Sequence, residues 1–391
     1  MTRINDLVSK GWKPDRAAFS AGVLATNGLS ALSWKDICTA DFAPAWDRLG
    51  SEAETRNPFY ERWVLTPSLE QFDPEGRVRL VIFVEDGKLC GLMPLCHRRT
   101  YHDRSLPHLA AWTHPNLFCG EPLIAPGFAE RFWSALLDWA DTHERASLFV
   151  HLPALPADGS SLPALRAIGG DNPRPVRIVA SEERAALLPG ASPDEHLERN
   201  VEKKRRKEFA RKRRRLEEMG RLAFTRCEGD DDLDVWIDDF LMLEAAGWKG
   251  QEGSALACAP QTAALFRASL TGAANAGALE RLAFHLDGKP VAMLCNFIAP
   301  PLSFAFKTTY DEALSKLSPG VLLQIENLAL LGRTDIAMSD SCAAPGHPMI
   351  DHLWFDRRQI LKVSLPIGGI VRKTLGSVVT GLEERRMEKR A

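Results

Sequence analysis

The sequence is short of several features, and each shortage narrows what the protein can do. Its eight cysteines (38, 90, 96, 119, 227, 258, 295, 342) form no CxxC pair and no tight cluster. That scatter argues against a zinc site or a disulfide framework and fits free thiols in a reducing cytosol. No run approaches about 18 uninterrupted apolar residues, so no membrane-spanning helix is expected. The opening MTRINDLVSKGWKPDRAAFS has no apolar stretch before a cleavage site and does not read as a signal peptide. A cytoplasmic protein is therefore expected. The formal net charge is −2, so no global attraction to nucleic acid or acidic membrane exists. His97, His102, His108 and His114 show neither helical pairing nor a nearby carboxylate pattern, and no metal is expected.

What remains is a soluble-type composition, 45% hydrophobic and 26% charged, on 391 residues. That length exceeds one ordinary core and implies two domains. Two segments resemble each other: RLVIFVEDGKLCGLMPL from Arg79 and RLAFHLDGKPVAMLCNFI from Arg281. Each is an apolar strand, an Asp-Gly-Lys turn and a second strand, the pattern of a hairpin needing positive φ. Their recurrence suggests a duplicated α/β unit. Between them, residues 153–193 carry seven prolines and read as a connection with one strand, 176–180.

Ser192-Pro193-Asp194-Glu195 forms a capping box with proline at the first helical position. It opens a helix expected to continue through the basic run 199–221, which holds twelve Lys/Arg against four Glu. Leu197, Val201, Phe209, Leu216 and Met219 fall within about a 120° arc at helical spacing, giving one narrow apolar seam and a broad basic face. That face reads as a solvated surface, or as a platform for anionic headgroups, a CoA phosphate or RNA. RNA is the weakest of these, because exposed aromatics for base stacking are missing.

The second half continues as strand 221–227, helix 231–247, a second helix from Pro260, and strands 281–286, 291–298 and 302–307. Helix 319–332, strand 335–342, helix 347–358 and a strand near 360–365 follow. The β–β–β–α–β–α–β order indicates an α/β layer with a mixed sheet.

The stretch FAFKTTYDEALSKLSPGVLLQIENLALL sets four proton-active side chains, Lys307, Tyr310, Asp311 and Glu312, at a strand exit before a helix start. This stretch, the run RRRLEEMG, AAGWKGQEGSAL, the DGKPVA hairpin and DIAMSDSC together resemble the GNAT acyltransferase superfamily. More narrowly they resemble its CelD/BcsL-like double-GNAT branch, related to the Fem peptidyltransferases. The resemblance covers about residues 195–360; over the first half it rests on the duplicated hairpin. It implies an α/β fold of two tandem GNAT-like domains, each a mixed twisted sheet flanked by helices. The boundaries expected are 1–180, a degenerate copy; 181–366, the catalytic copy; and 367–391, an amphipathic basic helix.

The resemblance also implies direct attack of an amine on an acyl-CoA thioester. Asp311 is then the candidate base or amine-positioning carboxylate, Tyr310 the proton donor to the leaving sulfur, and Lys307 a stabiliser of negative charge. Asp340, at the end of the next strand, and His347 are further candidates. Ser318, Gly320 and Val321, at the helix start, would take the CoA pyrophosphate on free backbone N–H groups. This loop has one glycine where the family has several, and Pro319 removes a donor. Trp248 and Lys249 are candidate substrate-binding residues. Each has an ordinary reading too: a packed tyrosine, a Lys307–Asp311 surface ion pair, a plain Ser-Pro helix cap.

In the C-terminal segment Ile367, Ile370, Val371, Leu375, Val378 and Leu382 recur at helical spacing. The helix either docks on the protein or lies in a membrane interface, where 199–221 and 367–391 would both make peripheral contact with the inner membrane. The resemblance then extends to the bacterial ceramide synthase type, with a long-chain sphingoid base as acceptor. Alternatives are a sugar or polysaccharide precursor, aminoacyl-tRNA-dependent transfer of the Fem kind, or a catalytically inactive binding module. Acyl-CoA is the expected co-substrate.

Overall fold

The computed structural model of the chain describes residues 22–168 and 174–388. The opening segment read against a signal peptide, part of the proline-rich connection and residues 389–391 of the expected terminal helix lie outside the described residues. The chain divides into two compact units. One runs to Glu182 and resumes at Gln359, and the other is Glu183–Arg358.

In the first unit β1 (Gly28–Ser33) is followed by α1 (Trp34–Ile37), α2 (Ala43–Glu52) and α3 (Arg62–Phe72). The hairpin β2 (Arg79–Glu85) and β3 (Lys88–Arg98), then β4 (His108–Ala111) and β5 (Leu123–Ile124), lead to α4 (Ala129–His143). Next come β6 (Phe149–Pro156), α5 (Ser161–Ala167) and β7 (Arg177–Leu187), within which the chain passes into the second unit. There α6 (Pro193–Asn200), α7 (Lys203–Glu218), β8 (Leu222–Glu228), α8 (Leu233–Ala246), α9 (Trp248–Gln251) and α10 (Pro260–Asn275) precede a second hairpin. That hairpin is β9 (Leu279–Leu286) and β10 (Lys289–Ala299); β11 (Leu302–Tyr310), α11 (Pro319–Asn327) and β12 (Met338–Asp340) follow. Finally β13 (Asp356–Pro366) carries the chain back to the first unit, where α12 (Ile370–Glu388) ends it.

The two units repeat one order: a strand, helices, a hairpin, a third strand, a helix and a parallel strand. The sheets run β1-β2-β3-β4-β6-β13 and β7-β12-β11-β10-β9-β8. Each is antiparallel except at one junction, β4 with β6 and β11 with β12. Both hairpins turn as the sequence indicates. Asp86, Gly87, Asp287 and Gly288 all have positive φ (49°, 73°, 50° and 81°), as a two-residue turn matched to strand twist requires. The first core gathers Met93, Phe132, Trp133, Leu136 and Leu365; the second gathers Phe284, Leu294, Leu323, Leu353 and Trp354. Each unit is thus a mixed, twisted sheet flanked by helices, the α/β fold class expected.

Several local expectations change. The helix opened by Ser192 keeps its capping box but breaks after Asn200, where Val201 is extended and buried. The imidazole of His196 holds the Leu353 carbonyl at 2.7 Å and fixes α6 before α7 begins. Met219 is exposed rather than part of the apolar seam, which Val201, Phe209 and Leu216 form. Trp248-Lys249-Gly250 makes its own helical turn instead of closing α8. The helix expected at 347–358 is a run of turns that buries Ile350, Leu353 and Trp354, and the strand expected at 335–342 pairs only over Met338–Asp340. The division into units also differs at its ends, since residues from Gln359 onward pack with the first unit.

The terminal helix α12 lies opposite to the simplest reading of its periodicity. Gly376 and Thr380 are buried, and Arg372 donates to the Glu144 and Ser147 carbonyls. The apolar residues face out, from 52% exposed (Leu375, Leu382) to 87% (Ile370). A Cβ on Gly376 would lie 2.3 Å from the Leu148 carbonyl oxygen, whereas one on Gly381 would meet nothing. Gly376→Ala should therefore lower thermal stability by about 1–3 kcal/mol despite alanine's better helix propensity. Gly381→Ala, in the same helix, should raise it by up to about 1 kcal/mol, read by thermal melting.

Candidate active site

The site grows from the way β11 leaves the sheet of the second unit. β11 pairs in parallel with β12 only from Leu302 to Phe304. On its other side the register with β10 shifts, Asn296 facing Ala305 and Cys295 facing Lys307, so Phe306 is a bulged extra residue. Beyond that bulge β11 runs on to Tyr310 past the end of β12, leaving an open strand exit.

Asp340 ends β12 inside a buried ion-pair network. It is 1% exposed, accepts from Arg358 at 3.1 Å and Arg184 at 3.3 Å, and receives the Cys342 N–H at 2.8 Å. A carboxylate held between two guanidinium groups ties the end of β12 in place. Asp311 is also differently used. Its Oδ1 accepts from the Ala313 N–H at 2.9 Å and caps the turn that follows β11.

The remaining candidates flank the β11 exit on its two faces, Lys307 with Cys295 on one and Tyr310 with Thr308 and α11 on the other. Lys307 sits just past the bulge; loss of hydration, and then the charge of Lys249, bring its pKa down from 10.5 to about 8, against the pull of Glu244. Lys249 bonds Glu244 Oε1 at 2.7 Å and lies 3.5 Å from the Thr308 carbonyl. Glu244 is buried, and its other oxygen accepts the Leu256 N–H at 2.8 Å. The Trp248 N–H donates to Glu312 Oε1 at 2.8 Å, so α9 is strapped to the strand exit with the indole ring exposed. His347 is partly buried in its turn. Burial holds its pKa below 6.5, Asp351 opposing and Lys249 reinforcing, and its Nδ1 is buried with no hydrogen-bond partner. At neutral pH it is an uncharged imidazole.

Tyr310, on the opposite face of β11 from Lys307, packs against the start of α11. Its ring passes so close to Gly320 that a Cβ there would lie 2.9 Å from Tyr310 Cδ1. Burial raises the phenol's pKa, keeping it a proton donor. Ser318 has left-handed backbone (φ 52°) and does not cap α11; instead Lys212 Nζ reaches its hydroxyl at 3.0 Å. The Gly320 and Val321 N–H groups then have no intrahelical acceptor. They sit beside a pocket of about 300 Å³ lined by Lys204, Arg205, Phe209, Lys212, Ser318 and Val321, with Glu202 and Glu208. Lys204, Arg205 and Lys212 share this pocket with two carboxylates, and Lys212 is paired with Glu208 at 3.1 Å, so the free N–H groups of the helix start are its least compensated donors.

A buried network holds α11 in place. Asn296 donates to Glu280 and to Asn327, both at 2.8 Å, and Gln324 donates to Thr308 at 3.1 Å. Glu244, Lys212 and Gln324 were missing from the sequence-based site, while Glu312 was noted at the strand exit without an assigned role. Only Glu244 leaves a trace, as a carboxylate on the apolar face carried by Ile237, Phe240 and Leu241. Among the described residues no group of His, Cys, Asp and Glu could hold a metal ion.

Residues 203–341 match the family model described as acetyltransferase (GNAT) domain. No curated protein matches the chain. Among solved structures, that of FemX shares 10% identity, covers 86% of this chain and 98% of its own, and has a TM-score of 0.52. A conserved protein of unknown function from Bacteroides thetaiotaomicron VPI-5482 shares 11% identity over 85% of this chain and 98% of its own, with a TM-score of 0.53. At these identities the likeness is one of fold. Residues 203–341 form a GNAT-type acyltransferase domain, a type that typically takes acyl-CoA.

Asp340→Asn should destabilise the second unit by about 3–5 kcal/mol, because two buried guanidinium groups lose their counter-charge. Turnover per folded molecule should persist below the melting transition. A proton-transfer role would instead cost about 10²–10⁴-fold in rate with melting unchanged.

Proposed function

We propose that the protein is an N-acyltransferase that moves an acyl group from acyl-CoA to an amine by direct attack at the β11 exit. The observation that carries this reading is the open exit of β11 beside the α11 start, where Tyr310 packs against Gly320 next to a pocket lined by Lys204, Arg205 and Lys212. The CoA pyrophosphate takes the Gly320 and Val321 N–H groups and Lys212. The amine nitrogen attacks the thioester carbon and gives its proton to the neutral His347. The oxyanion is held by N–H groups of β11 beyond its pairing with β12, and by the Lys307 cation. The C–S bond breaks, and the departing sulfur takes the Tyr310 proton. Trp248 and Lys249 border the acceptor side.

The finer reading, a long-chain amine such as a sphingoid base in the manner of the CelD/BcsL-like double-GNAT branch, rests on two surfaces. The outward stripe of α12, Ile370, Val371, Leu375, Val378 and Leu382, ends in exposed Arg385 and Arg386. The outer face of α7 carries Lys203, Lys204, Lys207, Arg211, Arg214 and Arg215, all exposed and without ion pairs among the described residues. An apolar stripe with basic ends suits a lipid interface, and the α7 face suits anionic headgroups. No helix among the described residues is long and apolar enough to cross a membrane.

Thiol release from palmitoyl-CoA should require a long-chain amine such as sphinganine, with the amide seen by mass spectrometry. Tyr310→Phe should cost about 10²-fold or more. Release without any amine requirement, or an undiminished Tyr310→Phe, contradicts the scheme. The rate should rise with pH through the depressed His347 pKa, below 6.5, and fall as Lys307 loses its proton near 8. Lys307→Arg, permanently charged, should remove the alkaline limb.

Vesicles one-third anionic should sediment the protein in a salt-sensitive manner. Val378→Glu with Leu382→Glu should weaken that about tenfold or more, since each side chain contributes about 1.5–3 kcal/mol when buried. Unchanged sedimentation would remove the α12 contact.

A further inference from the structure

The last turn of α8 carries a carboxylate where two effects disfavour one. Glu244 is buried, and the carbonyl end of a helix repels an anion. Both of its oxygens are used. Oε1 holds Lys249 at 2.7 Å, and Oε2 accepts the Leu256 N–H at 2.8 Å. The chain between those two partners is tightly wound. The Lys249 carbonyl accepts the Ser254 and Ala255 N–H groups at 2.7 and 3.0 Å. A Cβ on Gly250 would fall on the Ala245 carbonyl oxygen, so the winding needs glycine there. One carboxylate thus clips both ends of segment 249–256. Lys249 carries the clip to β11, its Nζ 3.5 Å from the Thr308 carbonyl.

The same ion pair bears on Lys307, the residue before Thr308. The charge of Lys249 opposes an ammonium there, and that of Glu244 favours it. Also near Lys307 are the Phe306 ring, 5.5 Å from Nζ, and the Cys295 and Cys342 thiols. Burial pushes Cys295 up to about 12, so it is uncharged at neutral pH.

We infer that Glu244 is a positioning residue of the acyl-transfer site: it holds the Trp248 turn against β11 and, with Lys249, sets the charge on Lys307. The inference rests on the reading of the β11 exit as the place where amine meets thioester. Geometry and charge are separable here. Shortening Glu244 breaks the clip and keeps the anion, whereas each half of the pair moves Lys307 in its own direction.

Two readouts on the full chain test this. NMR of protein isotope-labelled at the lysine Cε atoms follows the titration of Lys307, assigned with Lys307→Arg. Glu244→Gln should lower its midpoint by about one pH unit, and Lys249→Met should raise it by about as much. The second readout is turnover of palmitoyl-CoA with sphinganine. Glu244→Gln should raise KM for the amine about tenfold with kcat, each at its own pH optimum, within about threefold. The alkaline limb should follow the Lys307 midpoint. Glu244→Asp should raise KM while leaving that midpoint near its parent value. If Glu244→Gln fails to fold, Glu244→Asp carries the KM arm and Lys249→Met the titration arm. A midpoint that moves in neither variant overturns the inference. So does an unchanged KM in both Glu244 variants with lowered melting, the behaviour of a merely structural ion pair. The titration needs no turnover, so opposite midpoint shifts in a parent that releases no thiol would overturn the acyl-transfer reading, and the positioning role with it.

Discussion

The second unit depends on a carboxylate held between two guanidinium groups. Asp340, gripped by Arg184 and Arg358, terminates β12 where β11 still has several residues to run. A sheet whose neighbouring strand stops leaves polar backbone without a ladder partner, a costly arrangement unless something uses it. Here the unpaired edge coincides with the bulge at Phe306, the desolvated Lys307 and the approach of Tyr310 to Gly320. Buried charge fixes the geometry of the strand exit.

The electrostatics of the gap follow from crowding cations around little water. Lys249 is compensated by Glu244, but its field still reaches Lys307 and His347, and both are held less basic than in water. On the other side of Tyr310, Lys212 and the α11 start supply positive potential without a glycine-rich loop. The single glycine that remains, Gly320, is needed because the tyrosine ring occupies the space a side chain would take.

Legibility in the sequence followed the range of the interactions. Both hairpins were readable because Asp-Gly turns are decided by two residues. The strand exit and α11 were readable because the polar cluster and the Ser-Pro-Gly are contiguous. What failed depended on distant partners. The ion pairs of Asp340 with Arg184 and Arg358 could not be read, because both arginines are remote in sequence. The 347–358 segment had helical spacing, yet Ile350, Leu353 and Trp354 are buried from turns, with His196 tied to the Leu353 carbonyl. In α12 the apolar period was correct and its direction was not, because hydrogen bonds from Arg372 to backbone carbonyls decide which face packs.

The central claim is that donor and acceptor meet at the β11 exit with the CoA pyrophosphate on the α11 start. A crystal structure with a non-transferable thioether analogue of palmitoyl-CoA tests it most directly. The account predicts pyrophosphate oxygens within hydrogen-bond distance of the Gly320 and Val321 N–H groups and of Lys212, with the sulfur between Tyr310 and Lys307. A pyrophosphate bound elsewhere, or a sulfur remote from both side chains, would contradict it.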